Sequence, residues 1–390
     1  MTIEELVAVF RRYLYLPDPG PLLVVVAAVV ANLLGGDPVW LLLVGPPSSG
    51  KTELLSSLGR LAHVHAVSTF TEAGLLSGSV SRRPGATGGL LAEVGERGIV
   101  VCKDFTSILS ESAEVRRGLL AALREVYDGS WVRRLGVDGG RTIAWQGKLG
   151  LLGAVTETID RHAAVIGAMG ERMVLYRMPI LDDDARLEQA RAALANTGRQ
   201  EAIRAELAEA VSTFVGALDV DPEPEPIDGD GADSLVRLAD LATRCRSIVE
   251  RDERTKEVEL VPQPEAAARL QAALLQLTRG LWAIGVPDRE VQCIILKVAL
   301  DGMTKARRAV VEVMVATRPG VLWSSAQVGD AVGLPTDLAA RTLADLAAHR
   351  IVERHADGRV HHWGPSEWLV TRWRELDLPR ADDATEAGGS

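Results

Sequence analysis

The sequence predicts an α/β fold: a three-layer αβα core around a parallel five-stranded sheet, then an α-helical lid, then a C-terminal winged helix-turn-helix. Three observations predict it. An apolar run at residues 39–44 leads into GPPSSGKT at 45–52, and a helical pattern opens at Glu53, which makes a strand–loop–helix unit. Apolar runs at 64–70, 99–102, 149–155 and 173–178 supply four more short strands separated by helical or loop segments, as a parallel sheet requires. Beyond residue 303, three helical patterns precede two strands that turn at Asp357 and Gly358.

The loop at 45–52 fits the pattern G-x-x-x-x-G-K-[ST] at every fixed position. Gly45 and Gly50 permit backbone angles closed to other residues, so that the chain can wrap a polyphosphate. Gly45, Pro46, Pro47, Ser48, Ser49, Gly50, Lys51, Thr52 and Glu53 form the expected nucleotide cradle. Lys51 is expected to reach the β- and γ-phosphates, and the Thr52 hydroxyl to ligate Mg²⁺. Asp104 follows the strand at 99–102, where an acid downstream of such a loop holds the metal.

Length and composition set the frame. The 390 residues, 47% hydrophobic and 25% charged, suffice for two or three domains with sizeable cores. Cys102, Cys245 and Cys293 stand far apart with no metal spacing, which fits a reducing cytoplasm. The apolar run at 22–34 covers thirteen residues, short of the roughly twenty a spanning helix needs, and the acids before it do not suit a signal peptide. It reads as a buried helix, and no membrane association is expected. The net charge of −10 excludes a surface built throughout for nucleic acid. Residues 303–374 carry ten Lys and Arg against seven Asp and Glu, a mildly basic module on an acidic body.

In chain order, residues 1–36 read as N-terminal helices packed on the core, and 37–182 as the core itself. Within it, 75–89 is glycine-rich and polar, an expected exposed loop with Arg82 and Arg83. A helical pattern at 114–127 precedes strands at 131–135 and 141–145 around a glycine-rich turn, hence a hairpin. Residues 183–302 read as the helical lid region, interrupted at 219–233 by seven acids, three prolines and no base, the composition of a solvated linker. Residues 303–374 form the winged helix-turn-helix, with 375–390 a disordered acidic tail. His63, His65, His361 and His362 have no further ligands in pattern, so no zinc is expected.

With the loop, Asp104, the hairpin, Thr156 and Arg172 in this order, the chain resembles the AAA+ ATPases. More narrowly, it resembles the branch with a hairpin before the fourth core strand, which includes the minichromosome-maintenance helicases and the bacterial enhancer-binding activators. The likeness lies in Leu123-Arg124-Glu125, in Trp131 to Gly136, in Leu151 to Thr156, and in Glu171-Arg172 with Leu175-Tyr176-Arg177-Met178. The resemblance implies ATP as ligand, Mg²⁺ held by Thr52 and Asp104, Thr156 as first sensor, and Arg269 as lid sensor. It also implies that Arg172 or Arg177 reaches the γ-phosphate of a neighbouring subunit, where such a cation stabilises transferring charge. The family places Glu directly after the strand-terminal Asp to orient water, and Phe105 stands there instead. Glu72, beyond the second strand, resembles in position the glutamate of recombinase-type ATPases and is the substitute base this reading names.

Three functions follow as expectations. The first is an ATP-hydrolysing protein, assembled as a ring or filament, that moves or remodels DNA through Arg133, Arg134, Arg341, Arg354 and Arg359. The second is an ATP-gated DNA-binding regulator or initiator with little hydrolysis, which Phe105 favours. The third has the winged helix bind protein instead, which its small positive balance permits.

Overall fold

The computed structural model describes residues 1–76, 89–135, 141–167, 172–221, 223, 227, 229–252, 254–255, 257–357 and 360–376. The chain divides into two compact units, Met1–Glu225 with Leu275–Ile295, and Pro226–Leu274 with Leu296–Ser390. The loop at 75–89 and the acidic tail expected from sequence lie almost wholly outside the described residues, as do Glu171 and Arg359.

The first unit opens with α1 (Ile3–Arg11), closed at its start by a capping box between Thr2 and Glu5. Next comes α2 (Gly20–Leu33), apolar on every side and buried along almost its whole length. A helix with no polar face has to be covered all round. Then follow β1 (Trp40–Val44), α3 (Lys51–Ser56), β2 (Val64–Val67), α4 (Glu72–Leu75), α5 (Leu90–Val94), β3 (Arg97–Cys102), α6 (Phe105–Leu109) and α7 (Ala113–Tyr127). The hairpin is β4 (Ser130–Leu135) with β5 (Arg141–Gln146), and it leads to β6 (Lys148–Val155). A 3₁₀ turn at Glu157–His162, α8 (Ala163–Gly167), β7 (Met173–Arg177), α9 (Asp183–Ala195) and α10 (Gln200–Gly216) complete this stretch.

The five strands β2, β3, β6, β1 and β7, in that spatial order, form one parallel sheet. Alternate residues serve opposite faces. Trp40, Leu42, Val44, Val100, Cys102, Leu149, Leu151 and Val155 share one core with Phe105, Leu119, Leu123 and Val126, so α6 and α7 cover that face. On the other face α2 packs against β1, β3 and β6, which gives the three layers.

Polar groups fix α2 to the sheet. Buried Asn32 donates to Ala28 O (2.8 Å) and Val39 O (2.9 Å) and accepts from Val39 N (2.9 Å), which joins the helix to the entry of β1. A Cβ at Gly150 would lie 2.5 Å from Asn32 Cγ, so β6 needs glycine there. The last carbonyls of α2 are met by cations, Arg97 on Leu33 O (2.7 Å) and Lys148 on Leu34 O (2.8 Å), which suits the negative end of a helix. Burial lowers the Lys148 ammonium to about 8.

The second unit contains α11 (Gly229–Arg246), the small ribbon β8 (Glu250–Arg251) with β9 (Val258–Leu260), and the start of α12 (Ala268–Ala283). It also contains the end of α13 (Asp288–Asp301) and then the C-terminal module. That module comprises α14 (Lys305–Ala316), β10 (Trp323–Ser324), α15 (Ser325–Val332), α16 (Thr336–Ala348), β11 (Val352–Asp357), β12 (Val360–Pro365) and α17 (Glu367–Arg374). Three helices with the antiparallel sheet β10-β12-β11 make the winged-helix arrangement, with β11 and β12 as the wing.

Several extents differ from the sequence expectation. α3 ends at Ser56 rather than near residue 61, because the chain tightens into i→i+3 turns at Leu58 and Gly59. The last residues of the acidic stretch at 219–233 begin α11, whose buried Leu238, Leu241 and Ala242 supply a packing gain that its acidic first turn does not reveal. The helices expected to form one lid are shared, α9 and α10 in the first unit and α11 in the second. There α11 is held to the winged helix by Arg372–Asp240 (3.3 Å), Arg244 Nε on His349 O (2.8 Å), and Arg244 over the Trp368 ring (4.0 Å). Asp345 on α16 pairs with both Arg251 (2.5 Å) and Arg307 (3.2 Å). No helix among the described residues is long and apolar enough to cross a membrane. Of the three cysteines, Cys102 and Cys245 are buried thiols, raised by burial to about 11 and about 12, and Cys293 is exposed.

Candidate nucleotide-binding site

β1 ends at Val44, and Gly45 N donates to Val155 O (3.2 Å), so the loop leaves the sheet beside the end of β6. Ser48 (φ 63°) and Gly50 (φ 86°) take left-handed angles, the second directly before α3. The loop curls around Lys51. Its Nζ donates to Gly45 O (2.8 Å), Pro46 O (2.6 Å) and Ser49 Oγ (3.0 Å). Burial lowers the Lys51 pKa, and the Glu157 carboxylate lies near enough to oppose that shift. Thr52 is exposed, and Glu53 is held in a two-pronged ion pair by Arg204 of α10 (2.6 and 2.9 Å).

The neighbouring strands end at the same edge of the sheet. Asp104, just beyond β3, is exposed and caps α6 by accepting from Thr106 N (3.1 Å). The Thr106 hydroxyl in turn accepts from Thr156 N (3.1 Å), which links the ends of β3 and β6. The Thr156 and Thr158 hydroxyls lie 2.6 Å apart in the 3₁₀ turn. Arg177, at the end of β7, is buried and pairs with Asp160 of that turn (2.6 Å). Gly45 to Glu53, Asp104, Thr156 and Arg177 therefore share the carboxyl edge of the parallel sheet, where open α/β sheets take their ligands.

Other residues singled out from sequence lie elsewhere. Arg172 precedes β7 and so belongs to the opposite edge of the sheet, where its Nη2 donates to both Asp128 oxygens (2.7 and 2.9 Å) and its guanidinium lies over Tyr127 (5.5 Å). Glu72 opens α4 past the edge strand β2, three strand spacings from β1, or about 14 Å. A Cβ at Gly118 of α7 would lie 3.1 Å from the Glu72 carboxylate, which places that carboxylate over α7. Arg269 belongs to the second unit and pairs with Glu265 (3.1 Å). On the hairpin Arg133 donates to Leu76 O (3.1 Å), while Arg134 is exposed. Arg341 on α16 and Arg354 on β11 are exposed.

Phe105 is wholly buried, its Cβ 3.6 Å from where a Cβ at Gly153 would be, so its side chain is part of the sheet's core. The position that follows the strand-terminal acid is structural here. Three residues at this edge escaped the sequence reading: Glu157, Asp160 and Arg204. Glu157 and Asp160 follow the β6 apolar run within five residues of Val155, a signal present in the sequence. Arg204 lies 151 residues from its partner Glu53 and has no local signal.

The donor set fits a nucleoside triphosphate with Mg²⁺. A lysine ammonium is held by loop oxygens that phosphate oxygens can replace, and an exposed hydroxyl and carboxylate are the hard oxygen ligands magnesium takes. No family model matches the chain, and no curated protein matches it. Among solved structures, the apo A form of the NrS-1 C-terminal region aligns at 11% identity over 94% of this chain and 76% of that one, with a TM-score of 0.29. The Aeropyrum pernix ORC1 protein, solved in complex with DNA, aligns at 17% identity over 96% of this chain and 97% of that one, with a TM-score of 0.26. Overlaps this low carry no argument, and the sheet order and loop geometry stand by themselves.

Proposed function

We propose that the protein binds ATP with Mg²⁺ at residues 45–53 and hydrolyses it to act on DNA. The observation that carries the reading is the loop itself, a left-handed turn at Ser48 and Gly50 that encloses the Lys51 ammonium at the carboxyl edge of a parallel sheet. Lys51 would neutralise the β- and γ-phosphates, and Thr52 and Asp104 would hold Mg²⁺, which when bound supplies Lewis-acid charge for the transferring phosphoryl group. Thr156 would set the hydrogen bond beside the phosphate. The two arginines proposed to reach the γ-phosphate of a neighbouring subunit are both buried and ion-paired, Arg172 to Asp128 and Arg177 to Asp160, so either would have to leave its partner to do so.

Self-association would give the site a neighbouring subunit. α9 buries none of its residues and exposes Leu187 and Leu194, while Ile180 just before it is 89% exposed. An isolated helix of this length is marginal in water, which supports a neighbouring copy as its cover. Exposed Arg134 on the hairpin, and exposed Arg341 and Arg354 on the winged helix, would make mainly phosphate contacts on DNA, a role proposed also for Arg133 and Arg359.

A second reading, an ATP-gated DNA-binding regulator, is favoured by one feature. The place of the usual water-orienting glutamate is filled by core residue Phe105. The test is steady-state ATP turnover across protein concentration, with and without duplex DNA. Turnover that rises cooperatively and is stimulated by DNA supports the motor. ATP-dependent DNA binding without turnover supports the regulator, and DNA affinity that ignores both ATP and salt removes both.

A further inference from the structure

We propose that Glu157 is the catalytic carboxylate of this site, the group that takes the proton from the attacking water. The proposal rests on the reading of residues 45–52 as a nucleoside triphosphate cradle. Hydrolysis needs a base near the γ-phosphate, and the two positions expected to supply it do not. Phe105 is locked into the core, and Glu72 lies over α7 beyond the far strand of the sheet.

Glu157 is placed by backbone geometry. β1 and β6 are adjacent and parallel, with Val44 opposite Val155, and Gly45 N bonds to Val155 O. The loop and the 3₁₀ turn thus leave the sheet side by side, with Glu157 two residues past Val155. The turn is tied to its neighbours at two points: Thr156 N donates to the Thr106 hydroxyl (3.1 Å), and Asp160 pairs with Arg177 (2.6 Å). On this frame the Glu157 side chain is exposed, and its charge is felt at the Lys51 ammonium.

In the step, the water oxygen bonds to the γ-phosphorus as one of its protons passes to Glu157. The bond from that phosphorus to the bridging oxygen breaks, and the nucleoside diphosphate leaves with the bridging oxygen and its electron pair. Glu157 then returns the proton to orthophosphate or solvent, so the carboxylate is regenerated.

The experiment compares the full-length protein with Glu157→Gln, Glu157→Asp and Glu72→Gln. Three quantities are read: equilibrium binding of a fluorescent ATP analogue, the ATP-to-ADP ratio recovered from denatured protein after single-turnover loading, and turnover. The expected result for Glu157→Gln is unchanged analogue binding, recovery of the bound nucleotide as ATP, and a fall in turnover of at least about 100-fold. Glu157→Asp should fall between, and Glu72→Gln should match the parent. Wild-type turnover in Glu157→Gln overturns the assignment, as does a parent that binds ATP and leaves it intact. A parent that fails to bind the analogue removes the underlying reading of the loop instead.

Discussion

Replacing Arg172 by alanine separates two accounts of this residue. In the structure its side chain is 6% exposed, gives two hydrogen bonds to Asp128, and lies over Tyr127, whose ring meets Trp40 edge-on at 5.2 Å. Hydrogen bonds to charged groups contribute about 1.5–3 kcal/mol, and Asp128, half exposed, belongs at the low end of that range. The cation–π contact adds about 0.5–1 kcal/mol. Loss of the buried stem adds roughly another 1 kcal/mol. The predicted cost is therefore about 3 kcal/mol, a large share of a typical 5–15 kcal/mol stability. Urea unfolding followed by circular dichroism reads it as a lowered midpoint, with Arg172→Lys intermediate and Asp128→Asn partly reproducing the loss. An arginine finger acting on a neighbouring subunit would give the opposite pattern, an unchanged midpoint with turnover reduced by about 10³-fold or more. That pattern refutes the buried, structural account.

Two further predictions concern the α2 face of the sheet. Gly150→Ala should lower stability by about 1–3 kcal/mol, because its Cβ would press on the Asn32 amide. In an Asn32→Ala background the added cost should shrink, and strictly additive urea midpoints would contradict the contact. Lys148 has a folded pKa of about 8 against an ordinary 10.5, so between those values the unfolded chain binds more protons and stability rises with pH. Relative to Lys148→Met, the parent should gain on the order of 2 kcal/mol between pH 7 and 9.5. A difference independent of pH would show that Lys148 is not desolvated.

Much of this architecture is legible in the sequence, for reasons that differ by element. The loop at 45–52 is visible because glycines, lysine and threonine must stand at fixed spacing for its geometry, and α2 because a run from Leu22 to Leu34 without charge has to be covered on all sides. The edge to which Arg172 belongs also follows from sequence, since a residue that precedes a parallel strand cannot share an edge with a loop that follows one. Glu157 stands two residues past the apolar run of β6, so its edge of the sheet is legible in the sequence, while no spacing pattern there marks it as part of a site. The pairing of Arg204 with Glu53 depends on how α10 packs beside α3, and nothing local encodes it. The start of α11 is hidden because Asp, Gly and Pro at 219–233 carry the composition of a linker, while the residues that make it a helix come after it. Phe105 has the reverse character. Its identity departs from the resembled family, and its burial against Gly153 supplies the physical reason.

The central claim is that residues 45–53 take a magnesium-bound nucleoside triphosphate. Isothermal titration of Mg²⁺–ATP into the full chain and into Lys51→Ala tests it most directly. Saturable binding to the parent, weakened at least tenfold in the variant, or about 1.4 kcal/mol, is the predicted result. No binding to the parent, or equal affinity in the two proteins, would contradict it.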